Sequence, residues 1–342
     1  MTLPPIGTAV VDADVYRDPL RYELEVANVL RASWLVAARS SELPGPGDWI
    51  LYEGHGDTVV VSRQADGSVA AFHNVCQHRG VRLTRGETSG CTRRFTCPYH
   101  GWVWINLAGP QAAPPLLDWI GADITTDLGR FAMEGMILHE KLVFDLDVNY
   151  KCVVDGFNEV YHATELHHTA PEFTKSSRDT AFHLSGPNSM MFVPRPDHLD
   201  KLAETGDHHR YTICHYVVFP NTVFNNNPDQ IQVFNPIPIS VDRTRFICWE
   251  LIYAPAEGEA PADYERYHSA TMARWEQLQK VVGEDVFVYR ELSATRNSMG
   301  YRQNLFGAKE CKPTEYHRTM DHCVAGGSPM DRWADHPVGG QR

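Results

Sequence analysis

Hydrophobic and polar positions follow several rhythms along this chain. Over residues 14–40, Leu20, Leu24, Ala27 and Leu30 return every three or four positions. That is the spacing of one helix face and predicts one helix followed by a strand entry. From Gly45 to about Trp104 the runs shorten to β-rich pieces such as TVVVSR and SVAAFHNV, broken by Gly, Asp and Asn. They predict a small β domain. The stretch Gly109–Pro115 (GPQAAPP) reads as a loop or linker, with the domain boundary somewhat beyond it. Residues 148–168 return to helical character. Between about 210 and 254 the runs TICHYVVF, TVFNN, IQVFNPIPI and TRFICWELIYA are separated by turn residues and predict an antiparallel sheet. A long helix follows Pro261, from about Ala262 to Arg296. The tail past about Asn304 is rich in Gly, Pro, His and Asp and receives no assignment.

Composition narrows the class. A chain of 342 residues suggests two domains at roughly 150 residues each. Its 43% hydrophobic share is enough for sizeable cores. The net charge of −12 repels a phosphate backbone, so no nucleic-acid partner is expected. The start, Met1-Thr2-Leu3-Pro4-Pro5, has no basic region leading into an apolar run, and no apolar stretch reaches the roughly 18 residues of a membrane span. The expectation is a soluble, cytoplasmic protein with no membrane partner. Eight cysteines scattered through such a chain suggest buried thiols or metal ligands rather than a disulfide framework.

Four residues carry the first candidate chemistry. Cys76-Gln77-His78-Arg79-Gly80 is followed, with eighteen residues between His78 and Cys97, by Cys97-Pro98-Tyr99-His100-Gly101-Trp102. Each short loop offers one thiolate and one imidazole, which suits a structural zinc site or a [2Fe–2S] cluster. Iron–sulfur chemistry explains the set better, because two His in place of two Cys on one iron is the Rieske arrangement. Gly80 and Gly101 would let the backbone approach the cluster. Cys91 fits neither loop's pattern and reads as a plain thiol, and His73 reads as structural.

The second group lies in NYKCVVDGFNEVYHATELHH, residues 149–168. On a regular helix Asp155, Glu159 and His162 share one face, whereas His167 would swing away by about 140°. His162 and His167 can share a metal only if the helix ends or distorts between them. On the late helix, Trp275, Leu278, Val282, Asp285, Tyr289 and Leu292 recur at steps of three and four, which sets Asp285 inside an apolar stripe. A carboxylate there is costly to bury unless it is paired or bound to metal. Glu284 points off the stripe and is expected to be solvated. Two His and a carboxylate form the facial triad of non-haem Fe(II) oxygenases. His168 could substitute for its neighbour in a shifted register, while His208, His209 and His215 read as surface or strand residues.

The C-x-H…C-x-x-H pattern with HRG and PYHGW beside it resembles the Rieske box of ring-hydroxylating oxygenases. Val81 and Tyr99 stand where respiratory Rieske proteins carry two further cysteines. NYKCVVDGFNEVYHATELH resembles the same family's N-W-K-x-x-x-E-N-x-x-E-x-Y-H-x-x-x-x-H, and Glu284-Asp285 resembles its E-D. The resemblance implies an α+β fold with a small β Rieske domain and a helix-grip-like catalytic domain containing an antiparallel sheet. It implies a Rieske [2Fe–2S] cluster on Cys76, His78, Cys97 and His100, and a mononuclear Fe(II) on His162, His167 and Asp285. Glu159 would bridge the cluster of one subunit and the iron of its neighbour in a homotrimer, between His100 and His162. Tyr150, Asp155 and Gly156 depart from the family's Trp, Glu and Asn. The domains are expected at 1–35 (an N-terminal helix joining the catalytic domain), 36–140 (Rieske) and 141–342 (catalytic).

Gly54-His55-Gly56 lacks the third glycine and the helix of a dinucleotide fingerprint. Electrons are therefore expected from a separate NAD(P)H-dependent reductase, directly or through a ferredoxin. Arg79, Arg82, Arg85, Arg93 and Arg94 would help to dock an acidic donor, or are simply a solvated surface. The expected reaction uses O2 to hydroxylate a hydrophobic aromatic or alicyclic molecule, with Phe157, Asn158, Val217, Phe219 and Phe224 as pocket lining. A demethylase or an enzyme acting on a quaternary amine is the alternative, and Asp155 would then face the cation. A Rieske electron carrier and a zinc-stabilised binding module are readings from other classes.

Overall fold

The computed structural model describes residues 9–75, 82–84, 86–92, 95, 116–167, 179–255, 260–307 and 309–334. The chain divides into two compact units, residues 35–114, and residues 1–34 together with 115–342. In chain order the strands are β1 (Ala9–Asp12), β2 (Asp48–Gly54), β3 (Asp57–Arg63), β4 (Val69–His73), β5 (Ser89–Cys91), β6 (Met136–Leu146), β7 (Ala181–Ser185), β8 (Asn188–Pro194), β9 (Thr212–Val218), β10 (Thr222–Asn226), β11 (Gln230–Ser240), β12 (Arg243–Tyr253) and β13 (Gln303–Phe306). The helices are α1 (Pro19–Glu25), α2 (Leu116–Ile120), α3 (Ala122–Gly129), α4 (Tyr150–Phe157), α5 (Ala163–Leu166), α6 (Leu199–Thr205), α7 (His208–Tyr211), α8 (Pro261–Thr295) and α9 (Cys311–Val324).

The smaller unit is a four-stranded antiparallel sheet in the order β4-β3-β2-β5. His55 and Gly56, at φ 58° and 73°, make the two-residue turn between β2 and β3. Both positions of such a turn need positive φ, so the glycine serves a hairpin and not a phosphate loop. Buried Asn74 accepts from the Leu83 and Thr84 backbone N–H groups at 2.9 and 3.1 Å and donates to Thr84 Oγ1 at 3.0 Å. It thereby ties the chain on both sides of the segment carrying Cys76 and His78. Those two residues, with Cys97, His100 and the linker at 109–115, lie outside the described residues.

The larger unit is built on a seven-stranded antiparallel sheet in the order β6-β12-β11-β10-β9-β8-β7. Val153, Val154 and Phe157 of α4 and Trp275, Leu278, Val281 and Val282 of α8 share one core with Phe234 and Phe246 of the sheet. That core fixes where the two helices carrying the candidate ligands can lie. The α+β expectation, the sheet over 210–254 and the late helix are thus present. The unassigned tail forms α9, whose Tyr316, Met320 and Cys323 join the same core.

Three expectations need correction. Residues 31–39 form no strand after α1; Ala32 and Ser33 instead turn back by bonding to the carbonyls of Val29 and Leu30. Most of that helix's apolar stripe does not face the core: Leu20 and Leu24 are 70% and 46% exposed and Ala27 is exposed, while Leu30 alone of the four is buried in it. A π-turn at Val26–Leu30 widens the helix and re-aims its faces, and Glu25 turns inward to meet Lys151. The boundary expected near residue 140 falls instead between 114 and 115. Trp119 of α2 is buried in the large core and donates from Nε1 to the Phe219 carbonyl at 3.1 Å, so α2 and α3 belong to the catalytic unit.

His208 and His209 act as struts. Asp127 of α3 accepts from His208 Nε2 at 3.0 Å and from Tyr216 Oη at 2.6 Å, and His209 Nε2 lies 2.9 Å from the same carboxylate without hydrogen-bond geometry. Asp123, one turn earlier, holds His183 Nε2 at 2.9 Å and accepts from Ser185 Oγ at 2.7 Å. Burial works to raise both carboxyls, but the histidine, tyrosine and serine bonds outweigh it and hold both below the usual range. A depressed carboxyl stabilises the fold above its unfolded-state pKa of about 3.9, and that contribution disappears as pH falls through the folded value. Asp127→Asn should cost roughly 1–3 kcal/mol at pH 7. Below about pH 4 the variant's urea midpoint should converge on that of the parent.

Candidate metal centre

The helix carrying the motif is shorter than its spacing suggests. α4 starts at Asn149, whose side chain caps Lys151 N–H at 3.0 Å, and stops at Phe157 with Asn158 as its C-cap. Asp155, Glu159 and His162 therefore do not share a regular helix face. After the break, α5 is a single turn with His162 at its N-cap and His167 at its C-cap. The two imidazoles bracket that turn, so the chain distortion needed for convergence falls on both sides of it. Gly156 has a local reason: a Cβ there would lie 2.5 Å from Tyr289 Oη of α8. Glycine leaves room for the Tyr289 hydroxyl against α4.

His162 Nε2 and His167 Nε2 are 3.1 Å apart, and Asp285 Oδ1 lies 3.7 Å from the first and 3.5 Å from the second. All three donor atoms lie within 4.8 Å of one another. With metal–ligand bonds of roughly 2.0–2.2 Å, three donors on one octahedral face stand about 3 Å apart, so this donor set fits a single ion with modest closure. Each imidazole is also held from behind. His162 Nδ1 donates to Glu159 Oε1, and His167 Nδ1 donates to Glu284 Oε2 at 2.9 Å. A carboxylate can only accept, so it keeps the proton on Nδ1 and leaves each Nε2 lone pair facing the shared point.

Glu284 is thus not solvated as its wheel position suggests. His167 arrives from a different segment beside the stripe, so consecutive acids of α8 reach its two nitrogens. Asp285 is 4% exposed, and burial pushes its carboxyl up to about 7 despite nearby His162. Burial lowers His167. It works to lower His162 too, but Glu159 outweighs it and raises that ring. Three acidic side chains around two imidazoles make a cation-seeking site. His168 lies outside the described residues. Glu284→Gln should weaken retention of the mononuclear iron about 10–100-fold, measurable by titration with a ferrous chelator.

Two cavities meet at this centre. One is a cleft of about 420 Å³ lined by Tyr16, Cys152, Asp155, Glu159, His162, Asp285 and Tyr289, among others. The other lies between α4, α5, α8 and the sheet, and is lined by Phe157, His162, His167, His215, Asn225, Phe234, Val282 and Asp285, among others. Asp155 lines only the first. It accepts from Tyr16 Oη at 2.6 Å and pairs with His317 Nε2 at 3.0 Å. Of the expected lining residues, Phe157 faces the sheet-side cavity. Val217 and Phe219 pack in the core, and Phe224 projects from the opposite sheet face to Val223 and Asn225. Asn158 is fully buried and is not among the residues lining that cavity. His215 and Asn225 went unrecognised because strand alternation marks a face but not what that face borders.

Residues 133–326 match the family described as the ring hydroxylating alpha subunit (catalytic domain), and residues 33–118 match the Rieske [2Fe-2S] domain. The second span contains Cys76, His78, Cys97 and His100. Among curated proteins, the alpha subunit of benzene 1,2-dioxygenase from Pseudomonas putida is 42% identical over 94 residues, 28% of this chain and 21% of that protein. The alpha subunit of an N,N-dimethyl phenylurea N-demethylase from Sphingobium sp. is 33% identical over 116 residues, 34% of this chain and 25% of that protein. These matches span about a fifth to a quarter of the curated relatives' length. Among solved structures, the quaternary ammonium Rieske monooxygenase CntA aligns with a TM-score of 0.73 at 18% identity, covering 92% of this chain and 95% of that one. A naphthalene 1,2-dioxygenase aligns with a TM-score of 0.73 at 18% identity, covering 96% and 95%. At these identities the likeness is one of fold. Because the catalytic-domain match takes in more than half of the chain and all three converging side chains, this chain belongs to the ring hydroxylating alpha subunit family and carries a Rieske domain ahead of its catalytic domain.

Proposed function

We propose that this chain is the terminal oxygenase component of a Rieske non-haem iron system, which hydroxylates a largely hydrophobic, aromatic or alicyclic small molecule with O2. The observation that carries this reading is the convergence of His162 Nε2, His167 Nε2 and Asp285 Oδ1, each imidazole backed by its own carboxylate. Cys76, His78, Cys97 and His100 would hold the [2Fe–2S] cluster, and His162, His167 and Asp285 the lone Fe(II). When bound, these groups supply single electrons and oxygen activation.

The rest of the chemistry is positioning. Glu159 accepts from the Tyr161 and His162 backbone N–H groups as well as from His162 Nδ1, which locks the first ring. Glu284 does the same for the second ring. Phe157, Phe234 and Val282 give the sheet-side cavity apolar walls that keep water from the reacting face. Glu159 also lines the outer cleft, and in a homotrimer it would accept a hydrogen bond from His100 of a neighbouring subunit. A separate reductase, with or without a ferredoxin, would feed the cluster, and the arginines of the cluster loops would meet an acidic donor. Of these, Arg82 is 61% exposed at its side chain and stands 3.8 Å from Glu53.

Demethylation remains the second reading, supported by the demethylase match. For the quaternary-amine version Asp155 lines the outer cleft beside His162 and Asp285 but not the sheet-side cavity, and it is already engaged by Tyr16 and His317. The test is reconstitution of the purified protein with a donor reductase and ferredoxin. Substrate-dependent O2 uptake is then followed with aromatic, alicyclic and N-methyl compounds. Iron content of about three per chain, two in the cluster and one alone, is expected. A count of about two with no oxygen uptake would favour the electron carrier.

A further inference from the structure

The inner face of the catalytic sheet carries a straight polar row. His215 of β9 is paired with Asn225 of β10, Asn225 with Gln232 of β11, Gln232 with Glu250 of β12, and Glu250 with Glu140 of β6. Cross-strand partners point to the same side of a sheet. Five polar side chains therefore lie in line across five strands, over roughly 19 Å at about 4.8 Å per strand. The parallel row beside it, Val217, Val223, Phe234, Cys248 and Leu142, is wholly apolar.

The row is wired in one direction. Asn225 Nδ2 donates to Gln232 Oε1 at 2.8 Å, and Gln232 Nε2 donates to Glu250 Oε2 at 2.7 Å. Farther along, Glu140 Oε2 accepts from Trp275 Nε1 at 2.6 Å and Gln279 Nε2 at 3.0 Å. With Glu250 accepting, each amide donates toward β12, and the carbonyl of Asn225 is left at the other end. That end opens on the cavity beside His162, His167 and Asp285. Asn225 is 5% exposed, yet its Oδ1 has no hydrogen-bond partner among the described residues, and neither has the buried Nδ1 of His215 next to it. Apart from this pair, the triad and Glu159, the rest of this cavity is apolar, with Phe157, Phe234, Val281 and Val282 among its walls.

Two buried polar atoms on paired residues, lining a cavity whose other walls beyond the triad and Glu159 are largely apolar, call for a ligand atom that both gives and takes a hydrogen bond. We infer that Asn225 and His215 select a substrate carrying a hydroxyl group: its O–H donates to Asn225 Oδ1 and its oxygen accepts from His215 Nδ1–H, while the carbon skeleton lies against Phe157, Phe234 and Val282. The substrate class is thus a phenol or an alicyclic alcohol rather than an unsubstituted hydrocarbon. This inference rests on the reading of the neighbouring triad as the reaction centre. Gln232 and Glu250 act only through Asn225, as positioning residues that fix which way its amide points.

The test is equilibrium binding to the iron-loaded, full-length protein, measured by calorimetry with two matched pairs: phenol against toluene, and cyclohexanol against methylcyclohexane. A site built to bond a hydroxyl strongly rejects the analogue lacking it. The hydroxylated member should bind at least about tenfold more tightly, and both Asn225→Leu and His215→Phe should bring that ratio close to one. Equal affinities in the parent protein, no binding by either hydroxylated probe, or a ratio that survives both substitutions overturns the inference. The variants' iron content and Rieske absorption are read alongside. If one variant does not fold, the parent's ratios and the other variant decide. Failure of the reaction-centre reading appears separately, as a missing third iron in the parent, whatever the binding ratios.

Discussion

Replacing Asp285 with Ala is expected to take the iron content from about three to about two per chain, with the visible absorption of the Rieske cluster unchanged and substrate-dependent O2 uptake reduced to background. The carboxylate is almost fully enclosed at the meeting point of two imidazoles. It is the only member of the triad that can bring a negative charge to a cation, and its enclosure keeps bulk water from taking its place. Its loss leaves two neutral donors, whose Nδ1 protons remain tied to Glu159 and Glu284. Two neutral nitrogens hold a divalent hard cation far less well than two nitrogens and an oxygen anion. The cluster residues lie more than a hundred positions earlier in the chain, so the spectrum should report their survival. Iron analysis with simultaneous absorption spectroscopy checks both halves. Retention of the third iron in the variant would remove Asp285 from the site.

The second large effect concerns stability. Glu25 Oε2 and Lys151 Nζ are 2.6 Å apart, and both side chains are completely buried. Arg21 joins them through a 3.0 Å contact to Glu25 Oε1 and reaches Asp321 of α9 at 2.6 Å. The ammonium also lies 4.9 Å from the centre of the Tyr150 ring and 5.9 Å from that of Tyr16. Burial pushes the Lys151 amine below its ordinary pKa, against the pull of Glu25. Glu25→Ala leaves that cation enclosed with no counter-charge and should cost about 3–5 kcal/mol. A domain's whole margin is about 5–15 kcal/mol, so unfolding near physiological temperature is within reach. Replacing both partners, Glu25→Leu with Lys151→Met, removes the desolvated charges together and should recover most of the loss. Urea unfolding followed by tryptophan fluorescence separates the cases. Equal destabilisation by the single and double variants would show that the pair contributes packing only. Because Lys151 lies in α4, immediately before Glu159 and His162, the pair also anchors the segment that presents the ligands to the N-terminal helix.

Much of this was legible in the linear pattern. The late helix and the antiparallel block were clear because each has an unbroken period of its own. The candidate metal ligands were legible because few residue types can serve and two of them recur at short spacing. Asp285 stood out because a carboxylate inside an apolar stripe needs a reason. Helix 148–168 was read too long. Its periodicity continues through Asn158, whereas the chain breaks there so that His162 and His167 can flank one turn. Glu284 was read as solvated because a helical wheel knows only its own helix, and His167 approaches from outside it.

By itself, then, the sequence determined which groups could bind iron, where the long elements run and to which family they belong, since ligand chemistry and apolar period are local properties. Only the tertiary structure decided that Glu25 would meet Lys151, that Gly156 would clear Tyr289, and that His215, Asn225, Gln232 and Glu250 would align into one row. Those meetings depend on strand register and helix contact. A shift of one residue in register turns every side chain of a strand to the other face, and no alternation within a single strand reveals which partner it will find.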